Sequence, residues 1–241
     1  MVNLFDFKLV FTQIPKLLEF LPINIEIALI ALVIGWVVGL IIALVRINKI
    51  PVLMQLATFF VSIIRGTPII VQLYVTYFGI PIALRYINYY SGTDYNVNAI
   101  PGVIFAIIAL GLNQSAFDSE TIRAAILSVE KGQIEAAKSL GMNGMQILKR
   151  VLLPQAFSVA LPPLGNSLIG LIKGTSLVFV CSVVEMTAEG KILAGRNYRY
   201  FEAYVSIAII FWAITMLLEF IFRKLEQRFG IPDQVVEPQK G

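Results

Sequence analysis

The sequence predicts an all-α integral membrane protein with five transmembrane helices in one compact domain. Hydrophobic residues make up 58% of its 241 residues and charged residues only 14%, whereas soluble domains carry about 25% charged residues. The mean hydropathy is correspondingly high, at +0.81. Apolar runs close to the ~20 residues that a helix needs to cross a bilayer recur along the chain.

The first two predicted crossings lie in the N-terminal half of the chain. Residues 27–45 are uncharged throughout and form the first. Residues 52–64 are too few to cross alone, but the apolar character resumes at residues 66–84 after Arg65. We interpret these two segments as one long, interrupted second crossing.

The other three crossings follow the same logic. The third covers residues 99–112 and is prolonged by Asn113, Gln114 and Ser115. The fourth covers residues 151–172 and continues past Lys173 to residue 184, again with an interruption. The fifth covers residues 203–218 and runs on amphipathically towards Arg228.

The predicted organisation is a single transmembrane domain with two short flanks. Residues 1–21 mix apolar and charged side chains and predict an amphipathic segment in the outer membrane interface. Residues 22–230 form the transmembrane domain. Residues 231–241 predict a flexible cytoplasmic tail.

The distribution of basic residues predicts the orientation, because cytoplasmic loops are enriched in Lys and Arg. One side of the membrane would hold eleven of them, and the other side six. The richer set is Arg46, Lys49, Arg123, Lys131, Lys138, Lys149, Arg150, Arg223, Lys224, Arg228 and Lys240. This side should be cytoplasmic, which places the N-terminus outside and the C-terminus inside.

The residue inventory argues against enzymatic chemistry on this chain. It has no histidine and one cysteine, Cys181, so neither a histidine base nor the commonest metal ligand is present. No Gly-x-x-x-x-Gly-Lys-Ser/Thr loop is present to cradle phosphates. The net charge of +4 is scattered between apolar spans and does not indicate nucleic-acid binding. We therefore expect no catalytic residues, metal site or cofactor here.

One polar passage, residues 135–156, interrupts the apolar runs. A helix of good helix formers leads to Gly141, where glycine tolerates the left-handed conformation at a helix end. A second helix then leads towards the membrane, with Pro154 in its early turns. A glycine-ended helix facing the cytosol suits a docking element, and an ordinary loop helix is the alternative.

The spacing in this passage resembles the EAA signature of ABC-importer permeases. The residues that carry the resemblance are Glu135, Ala136, Ala137, Gly141, Val151, Leu153 and Pro154. Stretches at residues 62–73, 120–142, 161–177 and 198–206 are similar to the polar amino acid uptake branch of that family. The resemblance covers about residues 20–228.

The resemblance implies a type I importer transmembrane domain whose segment 130–141 is the coupling helix. It implies two separate ABC ATPase subunits, which bind ATP and Mg, and a second permease chain, identical or paralogous. An extracytoplasmic solute-binding protein would deliver an amino acid for uptake through the cell membrane.

Polar groups inside spans are the candidate substrate contacts, because they are costly there and usually functional. Arg65 and Lys173 precede two predicted helix breaks, and broken helices can line a transport site. By resemblance, Asn166 and Ser167 rank first. The full candidate set is Arg65, Thr67, Gln72, Asn113, Gln114, Ser115, Asn166, Ser167, Lys173, Thr175 and Ser176.

Structural roles remain open for several of these positions. Arg65 and Lys173 could instead lock helices through acidic groups or carbonyls. The pairs Gly35/Gly39 and Gly170/Gly174 predict helix-packing faces. Residues 182–199, with Glu185 and Glu189, predict an outer loop that either meets a binding protein or is simply solvated.

Substrate identity is the least constrained inference. Residues 161–177 contain no acidic side chain, so a cationic substrate side chain would lack a countercharge. The sequences of residues 165–179 and 85–100 are similar to those of permeases for cystine and related sulfur amino acids. The alternatives are glutamine- or glutamate-type and basic amino acids. In another class, an ion-coupled secondary transporter would need intramembrane carboxylates, of which residues 29–112 offer none apart from Asp94 in a loop.

Overall fold

The computed structural model describes residues 5–228, and every regular element within them is helical. The all-α prediction is therefore confirmed for this part of the chain. The predicted tail at residues 231–241 lies outside the described residues.

The helices follow one another with short connections. They are α1 (Phe7–Thr12), α2 (Ile14–Leu18), α3 (Leu21–Ile47), α4 (Leu53–Gly66), α5 (Ile69–Ser91), α6 (Gly102–Leu127), α7 (Lys131–Ser139), α8 (Gly144–Ile147), α9 (Leu153–Gly174), α10 (Met186–Asn197) and α11 (Tyr200–Arg228). A π-helical turn, Leu148–Leu152, joins α8 to α9, and 3-10 turns occupy Val97–Ala99 and Thr175–Cys181.

Five segments are long and apolar enough to span a membrane, which confirms the predicted number. They are α3, α5, α6, the continuous run Gly144–Cys181, and α11. The predicted boundaries were wrong in two places. α5 alone has 23 residues, about 34 Å of helix, so α4 is a separate shorter helix and the second crossing begins at Ile69. α6 continues to Leu127, well beyond the predicted end at residue 115.

Close packing of α3 on α6 organises the core, and two glycines permit it. A Cβ at Gly39 would lie 3.1 Å from the backbone oxygen of Ser115 and from the backbone nitrogen of Ser119. A Cβ at Gly35 would lie 2.9 Å from Cγ of Gln114. The prediction that Gly35 and Gly39 form a helix-packing face is confirmed, since small residues let membrane helices approach closely.

The second predicted packing pair, Gly170 and Gly174, fits less well. A Cβ at Gly170 would meet no described atom within 4 Å, and one at Gly174 only Leu110, at 3.8 Å. Gly165 is the glycine of α9 that faces a neighbouring helix, because a Cβ there would lie 2.8 Å from the Phe222 ring of α11. The prediction for Gly170 is thus wrong within this chain.

The segment 182–199 is mostly helical, as α10, and is not an irregular loop. Glu185 is fully buried and caps α10 by accepting hydrogen bonds from the backbone N–H groups of Thr187, at 2.8 Å, and Ala188, at 2.9 Å. Glu189 is only 6% exposed. Both carboxylates are therefore unavailable as a solvated docking surface, which corrects the prediction for these two residues; contact of the segment with a binding protein stays a prediction.

The N-terminal helices α1 and α2 are held against α11 by buried polar contacts. Gln13 donates to the hydroxyl of Ser206 at 2.7 Å, and that hydroxyl donates to the carbonyl of Val10 at 2.8 Å. The backbone N–H of Asp6 donates to Glu202 at 3.2 Å. Fixed contacts of this kind give the N-terminal flank a defined place on the bundle, and its position in the outer interface stays a prediction.

Asn24, near the start of α3, ties the first crossing to the last third of the chain. Its side-chain amide donates to Thr175 at 2.9 Å and to Glu185 at 3.0 Å, and its oxygen accepts from the backbone N–H of Met186 at 3.3 Å. Asn24, Thr175 and Glu185 are all fully buried. Every hydrogen-bonding group of the Asn24 side chain is thus satisfied.

Replacing Asn24 with leucine should lower the melting temperature of the purified protein. The change removes one buried donor from Thr175 and one from Glu185, and it leaves the backbone N–H of Met186 without its acceptor, which costs about 1–3 kcal/mol. Asn48→Leu is the matched control, because that exposed amide bonds only the Leu44 carbonyl of its own helix. Equal melting temperatures for the two variants in detergent would contradict the assigned role.

Candidate functional site: a glycine-capped polar helix and an intramembrane polar cluster

Helix α7 ends in a well-defined glycine cap at Gly141. This residue has φ +79°, in the left-handed region that favours glycine. Its N–H donates to the carbonyl of Lys138 at 2.9 Å, and the N–H of Met142 donates to that of Ala137 at 3.1 Å. This bond pair defines a Schellman motif. The helix end predicted from the sequence is therefore present at Gly141.

The restart after this cap is equally well defined. Asn143 and Gln146 form a reciprocal capping box, with bonds of 3.0 and 2.9 Å between each side chain and the other residue's backbone N–H. In the π-helical turn that follows, the N–H of Leu153 donates a hydrogen bond to the carbonyl of Leu148. Pro154 follows and has no N–H to donate, so the wider turn accommodates it at the start of α9.

A side-chain hydrogen bond joins α7 directly to α9. Gln155 donates to the side-chain oxygen of Gln133 at 2.6 Å and to the carbonyl of Val151 at 3.0 Å. The sequence analysis did not single out either glutamine, because their spacing of 22 residues carries no local signal. This contact joins α7 to α9 across the intervening capping box and π-helical turn.

The predicted docking residues divide into a buried and an exposed group. Ala137 is 5% exposed and faces the protein, while Glu135, Ala136, Gly141, Leu153 and Pro154 are exposed. Two apolar side chains stand out beside them, with Leu140 82% exposed and Met145 59% exposed. A short helix beyond the spans thus offers an open face with one carboxylate, small residues and two apolar side chains.

Three of the predicted intramembrane residues meet at the break between α4 and α5. The side-chain amide of Gln72 donates to the Ile64 carbonyl at 2.8 Å, to the Thr67 hydroxyl at 2.8 Å and to the Thr67 carbonyl at 3.0 Å. Asn113 of α6 donates to the oxygen of Gln72 at 3.1 Å. Gln72 therefore satisfies carbonyls that the break at Pro68 frees and ties the break to α6.

Two more of the predicted residues, Gln114 and Ser167, meet at Asp118, which the sequence analysis missed. Ser167 of α9 and Gln114 both donate to Oδ1 of Asp118 at 2.8 Å. Asp118 is fully buried, and its Oδ2 accepts no hydrogen bond from the described residues. The expectation that the pocket lacks an acidic group is therefore corrected: a carboxylate on α6 contacts the segment 161–177 through Ser167.

Two further predicted residues are buried for structural reasons. Thr175 bonds Asn24 and donates to the Ile172 carbonyl at 2.6 Å. Ser115 is fully buried and donates to the Leu112 carbonyl at 2.8 Å. Both side chains are committed to contacts within the helices, so the structure does not bring them to the Asp118 cluster.

The remaining predicted residues lie nearer the surface. Arg65 is in the last turn of α4, with its guanidinium 5.3 Å from the centre of the Phe117 ring. Asn166 and Lys173 are exposed, and Ser176 donates to the Lys173 carbonyl at 2.7 Å. Within residues 5–228 neither Arg65 nor Lys173 forms an ion pair. The predicted helix break after Lys173 is present as the change to a 3-10 turn at Thr175.

A charged cluster lies nearer the α7 end of α6. Glu120 bonds both Arg46 of α3 and Arg123, the latter at 2.9 Å. The cluster links α3 to α6 at the predicted cytoplasmic side of the bundle. Together with Asp118 it shows that a span does carry carboxylates, each held by neighbouring side chains.

The five candidate spans define a multi-pass membrane protein. The model of the binding-protein-dependent transport system inner membrane component family matches residues 23–231. The chain belongs to this family.

Its relatives place it among amino acid permeases. The chain is 38% identical over 231 residues to the probable amino-acid permease protein YxeN of Bacillus subtilis (strain 168), covering 96% of this chain and 99% of that protein. It is 37% identical over 228 residues to the L-cystine transport system permease protein TcyL of the same organism, covering 95% and 93%. The names of further relatives specify glutamine and arginine transport.

The fold is shared with a solved amino acid ABC transporter, described as a crystal structure with histidines. The TM-score is 0.78 at 33% identity, and the match covers 93% of this chain and 99% of that one. The chain is therefore an amino acid ABC transporter permease subunit with the type I fold.

Proposed function

We propose that the chain is the permease subunit of an importer that moves a neutral, polar L-amino acid into the cytoplasm by alternating access. A second permease chain would complete the pathway. Two ATPase subunits would dock on the complex, one on the α7 helix of each permease chain. An extracytoplasmic binding protein would deliver the substrate. ATP and Mg would be bound by the ATPase subunits.

The observation that carries this proposal is the open face of α7. Glu135, Ala136 and the apolar Leu140 lie exposed on a helix whose end is fixed by the Gly141 cap. The Gln133–Gln155 hydrogen bond gives that face a direct connection to α9. Movement imposed on α7 by nucleotide-driven closure of the ATPases would therefore reach the helix that carries Ser167.

For the substrate we propose cystine or another neutral or sulfur amino acid. The similarity to a permease named for L-cystine supports this choice. Glutamine- or glutamate-type and basic amino acids are the alternative, and Asp118 now makes a basic substrate more compatible with the site than the sequence suggested.

The proposal is tested by isolating the tagged chain from its native membrane in mild detergent and identifying the proteins that accompany it. We expect a stoichiometric ATPase with a Walker motif. The presence or absence of a second permease decides between a heterodimer and a homodimer. Uptake of labelled L-cystine and L-glutamine by the reconstituted complex, each competed with L-arginine, then assigns the substrate class.

Recovery of the chain alone, under conditions that keep a known ABC importer intact, would contradict the docking role of α7. Strong competition by arginine would contradict a neutral substrate and leave the permease role standing.

A further inference from the structure

Asp118 fixes the hydrogen-bonding polarity of two side chains within the bundle. Oδ1 of Asp118 is contacted by two donors and acts as an acceptor towards both. The hydroxyl of Ser167 and the side-chain NH₂ of Gln114 must both point towards its Oδ1, each at 2.8 Å. The oxygen atoms of Ser167 and Gln114 then remain available to accept hydrogen bonds from other groups.

The Ser167 hydroxyl has two possible acceptors, Asp118 and a carbonyl of its own helix, so its proton can point to only one of them at a time. The carbonyl of Pro163 lies 3.2 Å from Ser167 Oγ, farther than Asp118 Oδ1 at 2.8 Å. The distance to Asp118 Oδ1 is the one usual for an O–H···O hydrogen bond, whereas the distance to the Pro163 carbonyl lies beyond the usual range. Asp118 therefore holds the proton of Ser167, and the lone pairs of Oγ face away from it.

The cost of this arrangement argues for a purpose beyond packing. Asp118 is fully buried, and its Oδ2 accepts no hydrogen bond from residues 5–228. A buried carboxylate with an unsatisfied oxygen is destabilising, whereas an apolar residue could fill the space against Gly35. Gln114 and Ser167 are both half-buried, and Asn166, which precedes Ser167 in α9, is exposed.

We propose that Asp118 is a positioning residue for recognition of the substrate's ammonium group, in that it turns Ser167 Oγ and Gln114 Oε1 into a pair of hydrogen-bond acceptors. The inference rests on the proposed function. An ammonium group carries only donors and is matched by acceptors alone.

The test uses the purified permease–ATPase complex without a binding protein, so that only the permease selects the ligand. The probes are L-glutamine, L-cystine and L-arginine, each beside its fully N-acetylated form, in which every α-ammonium group is replaced by a neutral amide. Affinity is read from the rise in melting temperature with ligand concentration. The variants are Asp118→Ala, Asp118→Asn, Ser167→Ala and, as the matched control, Ser158→Ala, a half-buried serine of α9 that bonds only its own helix at Pro154.

We expect the wild-type complex to bind at least one free amino acid and to reject its N-acetyl form. Asp118→Ala should weaken binding of the free amino acid about tenfold or more. Asp118→Asn should weaken binding less than Asp118→Ala does, because the amide oxygen can still accept the hydrogen bonds of Ser167 and Gln114. Ser167→Ala should weaken binding less than Asp118→Ala, and Ser158→Ala should bind as the wild type does.

A purely structural role would lower the melting temperature of the unliganded variants without changing discrimination between free and acetylated forms. Unchanged discrimination in the variants would overturn the inference. So would binding of the acetylated form by the wild type, or a wild type that binds none of the three amino acids. If Asp118→Ala does not assemble, Asp118→Asn and Ser167→Ala still decide it. Uptake by the wild-type complex with its binding protein tests the proposed function separately, since uptake can persist when the polarity argument fails.

Discussion

Replacing Gly141 with valine is expected to reduce amino acid uptake at least tenfold while the amount of chain in the membrane stays close to wild type. Gly141 has φ +79°, a conformation that is a true outlier for a β-branched residue. The variant would lose the two backbone bonds that end α7 and would tilt the face that carries Glu135. Because the site is exposed and outside the spans, the bundle itself should remain folded.

Gly132→Val is the matched control for this prediction. A Cβ at either glycine would meet no described atom within 4 Å, but only Gly141 has a positive φ. Uptake of labelled amino acid into proteoliposomes, and ATP hydrolysis by the same preparations, measure the coupling. Uptake by Gly141→Val equal to that of the Gly132 variant would refute the role of the cap.

The substitution Gly102→Ala should have the largest effect on stability. A Cβ at this position would lie 1.9 Å from the carbonyl oxygen of Cys181, so the start of α6 and the end of the 3-10 turn would be forced apart. Both contacting groups are backbone, and no side chain can rotate to relieve the clash. We expect a loss of about 3 kcal/mol or more, at the upper end of overpacking effects.

The measurement for Gly102→Ala is the yield of monodisperse protein in detergent together with its melting temperature. Gly79→Ala is the control, because that glycine lies within α5 and a Cβ there would meet no described atom within 4 Å. Comparable yield and melting temperature for the two variants would show that the contact between Gly102 and Cys181 is not close in the native protein.

Local signals in the sequence were sufficient for the number of spans and for several of the helix ends. Apolar run length predicted five spans, Pro68 and the Gly174 region predicted two breaks, and Gly141 predicted the end of a helix. Each of these features depends on neighbours within a few residues. The α3–α6 packing face could also be predicted, since Gly35 and Gly39 lie one turn apart on one helix face.

The polar contacts that define the site could not be predicted in the same way. Asp118 lies after the apolar run of α6, and its hydrogen-bond partner Ser167 is 49 residues away in the sequence. Glu185 reads as a solvated loop carboxylate until Asn24, 161 residues distant, is placed beside it. Pairings of this range leave no periodicity in the sequence, and only the assembled bundle reveals them.

The Asn24 contacts also have a consequence for biogenesis. At translation rates of 5–20 residues per second, the 161 residues between Asn24 and Glu185 take roughly 10 to 30 s to synthesise. During that interval the first span is inserted with a polar amide that has none of its final partners. Membrane helices insert before they associate, so the contact with Glu185 forms late and joins the oldest span to one of the youngest segments of the nascent chain.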